Sequence, residues 1–445
     1  FGDFGNDFTF ILSTMFLLKF YTDVMGVSAA IVGLMMMAAR FVDAVTDVTM
    51  GQIVDRSRPG KKGKFAPWIR RMCGPVALAS FLMYATYFKG MPMGFKIFWM
   101  FFTYLLWGSI CYTGVNIPYG SMASAISDNP TDRASLSNWR TIGATLAQTV
   151  IGVVLPLAVY YTDAAGNKVL SGEKMMIGAL VCSIGAVICY MLCYHMTTER
   201  VKVEQNTQKF SFKELISEIA HNKALIGIIV CALLFLLAQL SLSNMNNYIY
   251  PNYFGNVSAM SLANLAGMVV ILVLSTFIVK LSAKVGKKEL SVIGSIISAA
   301  AFLILFFIHT DNLWVWIVLV LISSVGTAMF NMVIWAMITD VIDESEVQTG
   351  VRQDGTIYSV YSFARKLGQA CSSGISGVLL SIIGYTAATA HDPKVVDGIY
   401  NVTCLVPALG MILLFLALQF LYPLNKKRVE ENAKILKERR EAKVQ

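Results

Sequence analysis

Runs of about twenty apolar residues recur along almost the whole chain, each closed by a short stretch of polar, glycine or charged positions; an α-helix of that length rises about 30 Å, the thickness of a bilayer's hydrocarbon core. The pattern predicts spanning helices over residues 6–24, 29–54, 68–88, 96–121, 139–161, 174–196, 224–250, 259–281, 288–309, 313–340, 357–383 and 399–421. In lipid every backbone amide and carbonyl must be satisfied inside its own segment, so runs of this length are read as helices. The expected fold is an all-α membrane protein of twelve transmembrane helices in two six-helix halves.

The polar breaks are not equivalent. Those after the second, sixth and eighth runs carry Arg56, Arg58, Lys61, Lys62 and Lys64, then Arg200, Lys202, Lys209, Lys213 and Lys223, then Lys284, Lys287 and Lys288. The alternate connections, such as 22–27, 89–96 and 309–312, are short and poor in positive charge. Basic loops stay in the cytoplasm, which puts both termini inside, in agreement with the basic tail from Lys426. The expected location is the cell (inner) membrane, crossed many times.

The turn Arg58-Pro-Gly-Lys-Lys62 is echoed by Lys284-Val-Gly-Lys-Lys288, as an internal repeat of six helices would require, although a chance echo of a basic turn stays open. The one long polar interruption, 197–223, mixes charges of both signs and is the natural linker. This divides the chain into an N-terminal half at 1–196, the linker, a C-terminal half at 224–421 and a cytoplasmic tail at 422–445. A substrate cavity is expected between two such halves, near the bilayer midplane.

Composition removes the soluble alternatives: 56% of the 445 residues are hydrophobic and 14% charged, with a mean hydropathy of +0.62. The formal charge of +9 would suit nucleic acid if it were spread over a surface, but it is gathered in particular loops, so no nucleic-acid partner is expected. All eight cysteines fall in apolar runs and read as small core residues, without disulfide or zinc spacing. The four histidines, His195, His221, His309 and His391, are scattered, and no nucleophile–base set or phosphate-cradling glycine loop accompanies them. A membrane enzyme working through buried carboxylates therefore lacks its chemistry: no catalytic residue and no cofactor is expected. A drug or lipid exporter is the nearer rival to a sugar carrier.

Charges inside the apolar runs carry the most information, because one at the centre of a spanning helix costs about 3 kcal/mol on insertion scales. Arg40, Asp43 and Asp47 stand at i, i+3 and i+7, on one helical face. That face is either an internal ion pair locking helices together or a cation site, since two carboxylates with Thr46 nearby offer the hard oxygens that sodium prefers, or a group able to take a proton. Asp3 and Asp7 open the first run, whereas Arg365 and Lys366 lie well inside the eleventh. Acidic groups from one half and basic groups from the other suggest a central polar cavity, with snorkelling of Arg365 as the alternative. Arg140 is either an inner-end anchor or a substrate donor. Aromatics on the same runs, among them Tyr112, Trp335 and Tyr361, are either packing or platforms for sugar rings.

Several motifs along the chain now resemble one family: Gly2-Asp-Phe-Gly-Asn-Asp7, Phe20-Tyr-Thr-Asp23, Arg40-Phe-Val-Asp-Ala-Val-Thr-Asp47 and Asn116-Ile-Pro-Tyr-Gly120. They are similar to the glycoside-pentoside-hexuronide:cation symporters of the major facilitator superfamily. Asp340-Val-Ile-Asp343, Thr349-Gly-Val-Arg352 and the stretch from Tyr358 to Ala370 look most like its bacterial glucuronide and xyloside carriers.

The resemblance implies a major facilitator fold and uptake of a glycoside or small oligosaccharide together with H+ or Na+, by one chain acting alone in lipid. It implies a cation site of Asp43, Thr46, Asp47 and Thr113, with Asp43 and Asp47 as metal ligands only if the ion is Na+. It implies a sugar site of Asp7, Tyr112, Asn116, Gly120, Arg140, Asn331, Tyr361, Ser362 and Lys366, and cytoplasmic gating contacts from Arg133, Asp340, Asp343 and Arg352. The chain departs from the melibiose-carrier branch in three places: Asn116 replaces a second sugar-binding aspartate, Gly120 a tryptophan, and Thr46 an asparagine. Galactoside specificity is therefore not carried over, and Thr46 weakens the case for sodium relative to protons.

Overall fold

The computed structural model describes residues 1–60, 62–127, 130–200, 222–350 and 354–444. Its helices are α1 (Gly2–Asp23), α2 (Ala29–Arg56), α3 (Ala66–Met83), α4 (Met93–Leu105), α5 (Thr113–Ile126), α6 (Pro130–Val159), α7 (Gly172–Met196), α8 (Lys223–Tyr248), α9 (Val257–Val285), α10 (Lys287–Ile308), α11 (Leu313–Thr349), α12 (Asp354–Ile382), α13 (Pro393–Leu416) and α14 (Lys426–Val444). Wide π turns join α4 to α5 (Leu106–Tyr112) and extend α8 (Ile249–Tyr253) and α13 (Ala417–Leu421). A small antiparallel hairpin, Tyr160–Thr162 against Lys168–Leu170, follows α6; the hydrophobic pattern gave no warning of it.

Among the described residues, nine helical stretches are long and apolar enough to cross a membrane. The other helices at expected spans, α1, α3 and α12, are 22, 18 and 29 residues long and carry Asp7 and Lys19, Arg70 and Arg71, and Arg365 and Lys366 respectively. Helix ends are set by local chemistry. Asn312 caps α11 by accepting the amides of Trp314 and Val315, Ser171 caps α7, and the Glu199 carboxylate takes three amides at the head of α3, those of Lys64, Phe65 and Ala66, at 2.7–2.9 Å. Many Ser and Thr hydroxyls turn back to the carbonyl three or four residues earlier, as Thr14, Thr103 and Ser291 do. In an apolar solvent that satisfies a hydroxyl without needing a neighbouring helix.

The chain groups into two compact units that do not follow its two sequence halves. The first contains Phe1–Gln208, Asn244–Leu265 and Ser373–Ile399; the second contains Lys209–Ser243, Ala266–Ser372 and Tyr400–Gln445. In the first, α1 packs against α6 and α7, and α3 against α5 and α7. In the second, α10 packs along α11, and one apolar cluster runs from Ala224 to Ala238 of α8 through Phe330–Ile342 of α11 to Met411–Leu424. The tail helix α14 lies on α11 in this unit.

Candidate functional site

Helix α2 presents Arg40, Asp43 and Asp47 on one face, as their spacing requires. The π turn Leu106–Tyr112 and the first residue of α5 meet that face. Ser109 Oγ donates to Asp43 Oδ1 at 2.5 Å, and Thr113 Oγ1 donates to Asp47 Oδ1 at 2.7 Å. Arg40 Nη1 stands 3.4 Å from the other Asp43 oxygen. Gly108 eases this approach: a Cβ there would sit 3.3 Å from Asp43 Oδ1, a tight contact. Thr46 faces its own helix, donating to the Asp43 carbonyl oxygen at 3.1 Å. Asp43 is buried and Asp47 half-buried. Two carboxylates one turn apart, each accepting a hydroxyl, are hard oxygen donors of the kind a proton or a small cation takes; among the described residues no group of three or more His, Cys, Asp or Glu gathers, here or elsewhere.

A second polar face belongs to α1. Buried Asn6 is its hub: Nδ2 donates to Tyr112 Oη at 3.1 Å and to Asn116 Oδ1 at 3.0 Å, while its Oδ1 accepts from Tyr190 Oη at 2.8 Å. The neighbouring Asp7 is half-buried and, among the described residues, neither hydrogen-bonded nor ion-paired. Asp3 is fully engaged: Arg140 grips it through Nε at 2.7 Å and Nη2 at 3.2 Å, and Tyr119 Oη donates to it at 2.6 Å. The guanidinium lies 4.9 Å from the Tyr119 ring centre. This group lines a recess of about 180 Å³ with Trp139, Met122 and Cys193. Gly120 is exposed and has open space where a side chain would stand.

The two faces are connected. Phe10 of α1 stacks on Tyr112 with ring centres 5.6 Å apart, and the Arg40 guanidinium sits 5.2 Å from the Phe10 ring. Arg40, Phe10, Tyr112 and Asn6 thus run as one line of contacts from the acidic pair to the Asp7 face. Asn6 and Ser109 were absent from the residues expected at the site, and Asp3 was expected only as one of the acidic groups around the cavity. Asp3 had a signal, its i, i+4 spacing from Asp7, whereas Ser109 sits in an apolar run with none.

The second unit holds the remaining expected residues. Trp335 and Tyr361 meet edge to face at 5.3 Å, and Arg365 lies 5.3 Å from the Trp335 ring and 6.0 Å from the Tyr361 ring. Lys366 is half-buried, and Asn331 is exposed one turn before Trp335. Buried Asp340 pairs with Lys287 at 2.6 Å, and Asp343 is half-buried nearby on α11. Arg352 lies outside the described residues, and the side chains of Arg133 and Ser362 lie outside the described ones. In the same unit Glu344 is gripped by Arg428 of α14 through two contacts of 3.0 Å, with Asn432 and Gln348 each at 2.6 Å.

Comparison with known proteins follows the same line. A family model described as MFS/sugar transport protein matches residues 1–426. The chain is 32% identical over 441 residues to a glucuronide carrier protein homolog of Escherichia coli (strain K12), covering 97% of this chain and 92% of that protein. It is 28% identical over 445 residues to an isoprimeverose transporter of Lactiplantibacillus pentosus, covering 97% and 91%. The inward-open structure of the xylose transporter XylE from E. coli superposes with a TM-score of 0.65 at 12% identity, covering 98% of each chain, which shows the shared fold.

Proposed function

Because this chain belongs to the family of MFS/sugar transport proteins, multi-pass membrane carriers and not enzymes, we propose that it is a symporter that takes up a glycoside, such as a xyloside, a glucuronide or a small oligosaccharide, with H+ or Na+. The observation that carries the reading is the continuous line from the Asp43–Asp47 pair through Arg40, Phe10 and Tyr112 to Asn6, beside an Asp7 carboxylate with no protein partner among the described residues. A half-buried carboxylate left without a donor can be stabilised by one that arrives with a ligand, and sugar hydroxyls are donors of the right kind. Tyr112, Asn116 and Arg140 stand around the same face, and Trp139 offers an exposed ring for an apolar sugar face. Gly120 leaves room for a bulky aglycone or second sugar.

The cycle we propose is alternating access. The cation neutralises the Asp43–Asp47 pair, the Arg40 and Tyr112 side chains adjust to that change, and Asn6 and Asp7 then accept the sugar. Coupling of this kind is reciprocal: sugar tightens the cation as the cation tightens sugar. The pairs around Asp340 and Asp343 would gate the cytoplasmic side of an inner-membrane carrier with both termini inside, working as one chain.

The test is uptake into vesicles of a panel of xylosides, glucuronides and small neutral oligosaccharides, with a pH gradient or a sodium gradient imposed separately. Gradient-driven accumulation of one sugar class is expected. If no sugar moves cations in return, the exporter reading takes its place.

A further inference from the structure

Lys19 sits in an apolar run, four residues before the end of α1, and is 2% exposed. Its ammonium is ligated as completely as a bound cation. Asp23 Oδ2 lies 2.8 Å away, Asn252 Oδ1 2.9 Å and Tyr385 Oη 2.6 Å. The rings of Tyr248 and Tyr385 face it with centres 4.3 and 5.0 Å distant. Asp23 is completed in turn by Tyr385 Oη at 2.8 Å and Thr22 Oγ1 at 3.0 Å. All of these residues belong to the first compact unit, but they come from three distant parts of the chain: the end of α1, the π turn after α8, and the loop after α12.

The surroundings repeat the same junction. Ser381 Oγ accepts the Ala30 amide at 2.9 Å and lies 3.4 Å from Ser28 Oγ. Gly33 and Gly377 leave no room for a Cβ between α2 and α12, and Asn247 donates to the Met15 carbonyl at 2.6 Å. Thus 244–265 and 373–399, which the sequence assigns to the second half, are fastened here to the first.

A permanent core contact would be made more cheaply from apolar side chains, because burying an ammonium and a carboxylate costs about as much as their attraction returns. That near balance suits a contact that must be made and broken repeatedly, since water can replace every ligand once the segments part. We propose that Lys19, Asp23 and Tyr385 form a latch that holds this end of the carrier shut and must open each time substrate is admitted from outside. The inference rests on the transport cycle proposed above and on the outward position expected for the 24–28 connection.

The experiment reads opening directly. Ser376 is buried on α12 nine residues before Tyr385, so Ser376→Cys in the full-length protein reports when this end parts, by its rate of reaction with a membrane-impermeant maleimide added from outside. Lys19→Met combined with Asp23→Asn removes both charges together, and labelling is expected to accelerate about tenfold, the scale of hydrogen bonds to a charged group. Tyr385→Phe, which deletes one hydroxyl and keeps the ring, is expected to accelerate it about threefold. Labelling within twofold of the parent in Tyr385→Phe overturns the latch, even if the double variant fails to reach the membrane. Faster labelling in a protein that accumulates no sugar under any gradient would leave the latch standing and remove the symporter reading instead.

Discussion

Asp23 and Asp47 are both aspartates in helices that the hydrophobic pattern places in the bilayer, and both belong to the first compact unit, yet they are completed in opposite ways. Asp23 faces an ammonium at 2.8 Å, with two hydroxyls filling its other oxygen. Asp47 receives the Thr113 hydroxyl, and its neighbour Asp43 receives the Ser109 hydroxyl, with Arg40 only at 3.4 Å. In a medium of low dielectric, a full opposite charge compensates a carboxylate, whereas a hydroxyl orients it without bringing a charge of its own. The same side chain is thus matched to an ammonium in one place and oriented by a hydroxyl in the other.

The sharpest way to break that contrast is Asp47→Cys or Asp43→Cys. Either is expected to lower gradient-driven sugar accumulation at least a hundredfold while sugar counterflow, which needs no net cation movement, survives; retained uphill uptake would dismiss the cation assignment. Asp7→Asn comes next, because it weakens an acceptor that sugar hydroxyls would otherwise meet at a charged group. The sugar Kd should rise about ten- to thirtyfold, the magnitude of a charged hydrogen bond, with the ion dependence intact, as measured by calorimetry on purified protein.

A third carboxylate sharpens the contrast from outside the site. Glu344 is tied to Arg428 and Asn432 of the tail helix, so Arg428→Ala should lower the Tm by a few degrees and leave the KM for sugar unchanged. The smallest effect belongs to Thr46→Val. Its hydroxyl serves the Asp43 carbonyl of its own helix, so transport rates and ion preference should stay within about twofold.

What the sequence disclosed and what it hid divide along the same physical line. Period and run length marked where the helices lie, because a helix in lipid satisfies its own backbone, but α6 begins nine residues before its expected span and α11 runs nine residues past its own, where the helices continue into polar sequence. Arg40, Asp43 and Asp47 were legible as a group because one helix carries all three. Ser109 was not, because the wide turn that aims it leaves no trace in an apolar run. Lys19 was passed over for a related reason: its ligands Asn252 and Tyr385 lie 233 and 366 residues away, and nothing local reveals them. Nor did the pattern show that α8, α9, α12 and α13 each contribute to both compact units, since a hydrophobic run looks uniform from end to end.

The wide turn at Leu106–Tyr112 has a consequence for heredity. Each residue of an α-helix advances the azimuth by about 100°, and a π turn accommodates one residue more than regular pitch would. A single-codon deletion in that stretch would restore ordinary pitch and leave Thr113, Asn116 and Tyr119 facing the side they face now, because the wide turn absorbs its extra residue locally. Such an allele should still reach the membrane, having lost only the local aim of residues such as Ser109, a lesion invisible to any screen for folding.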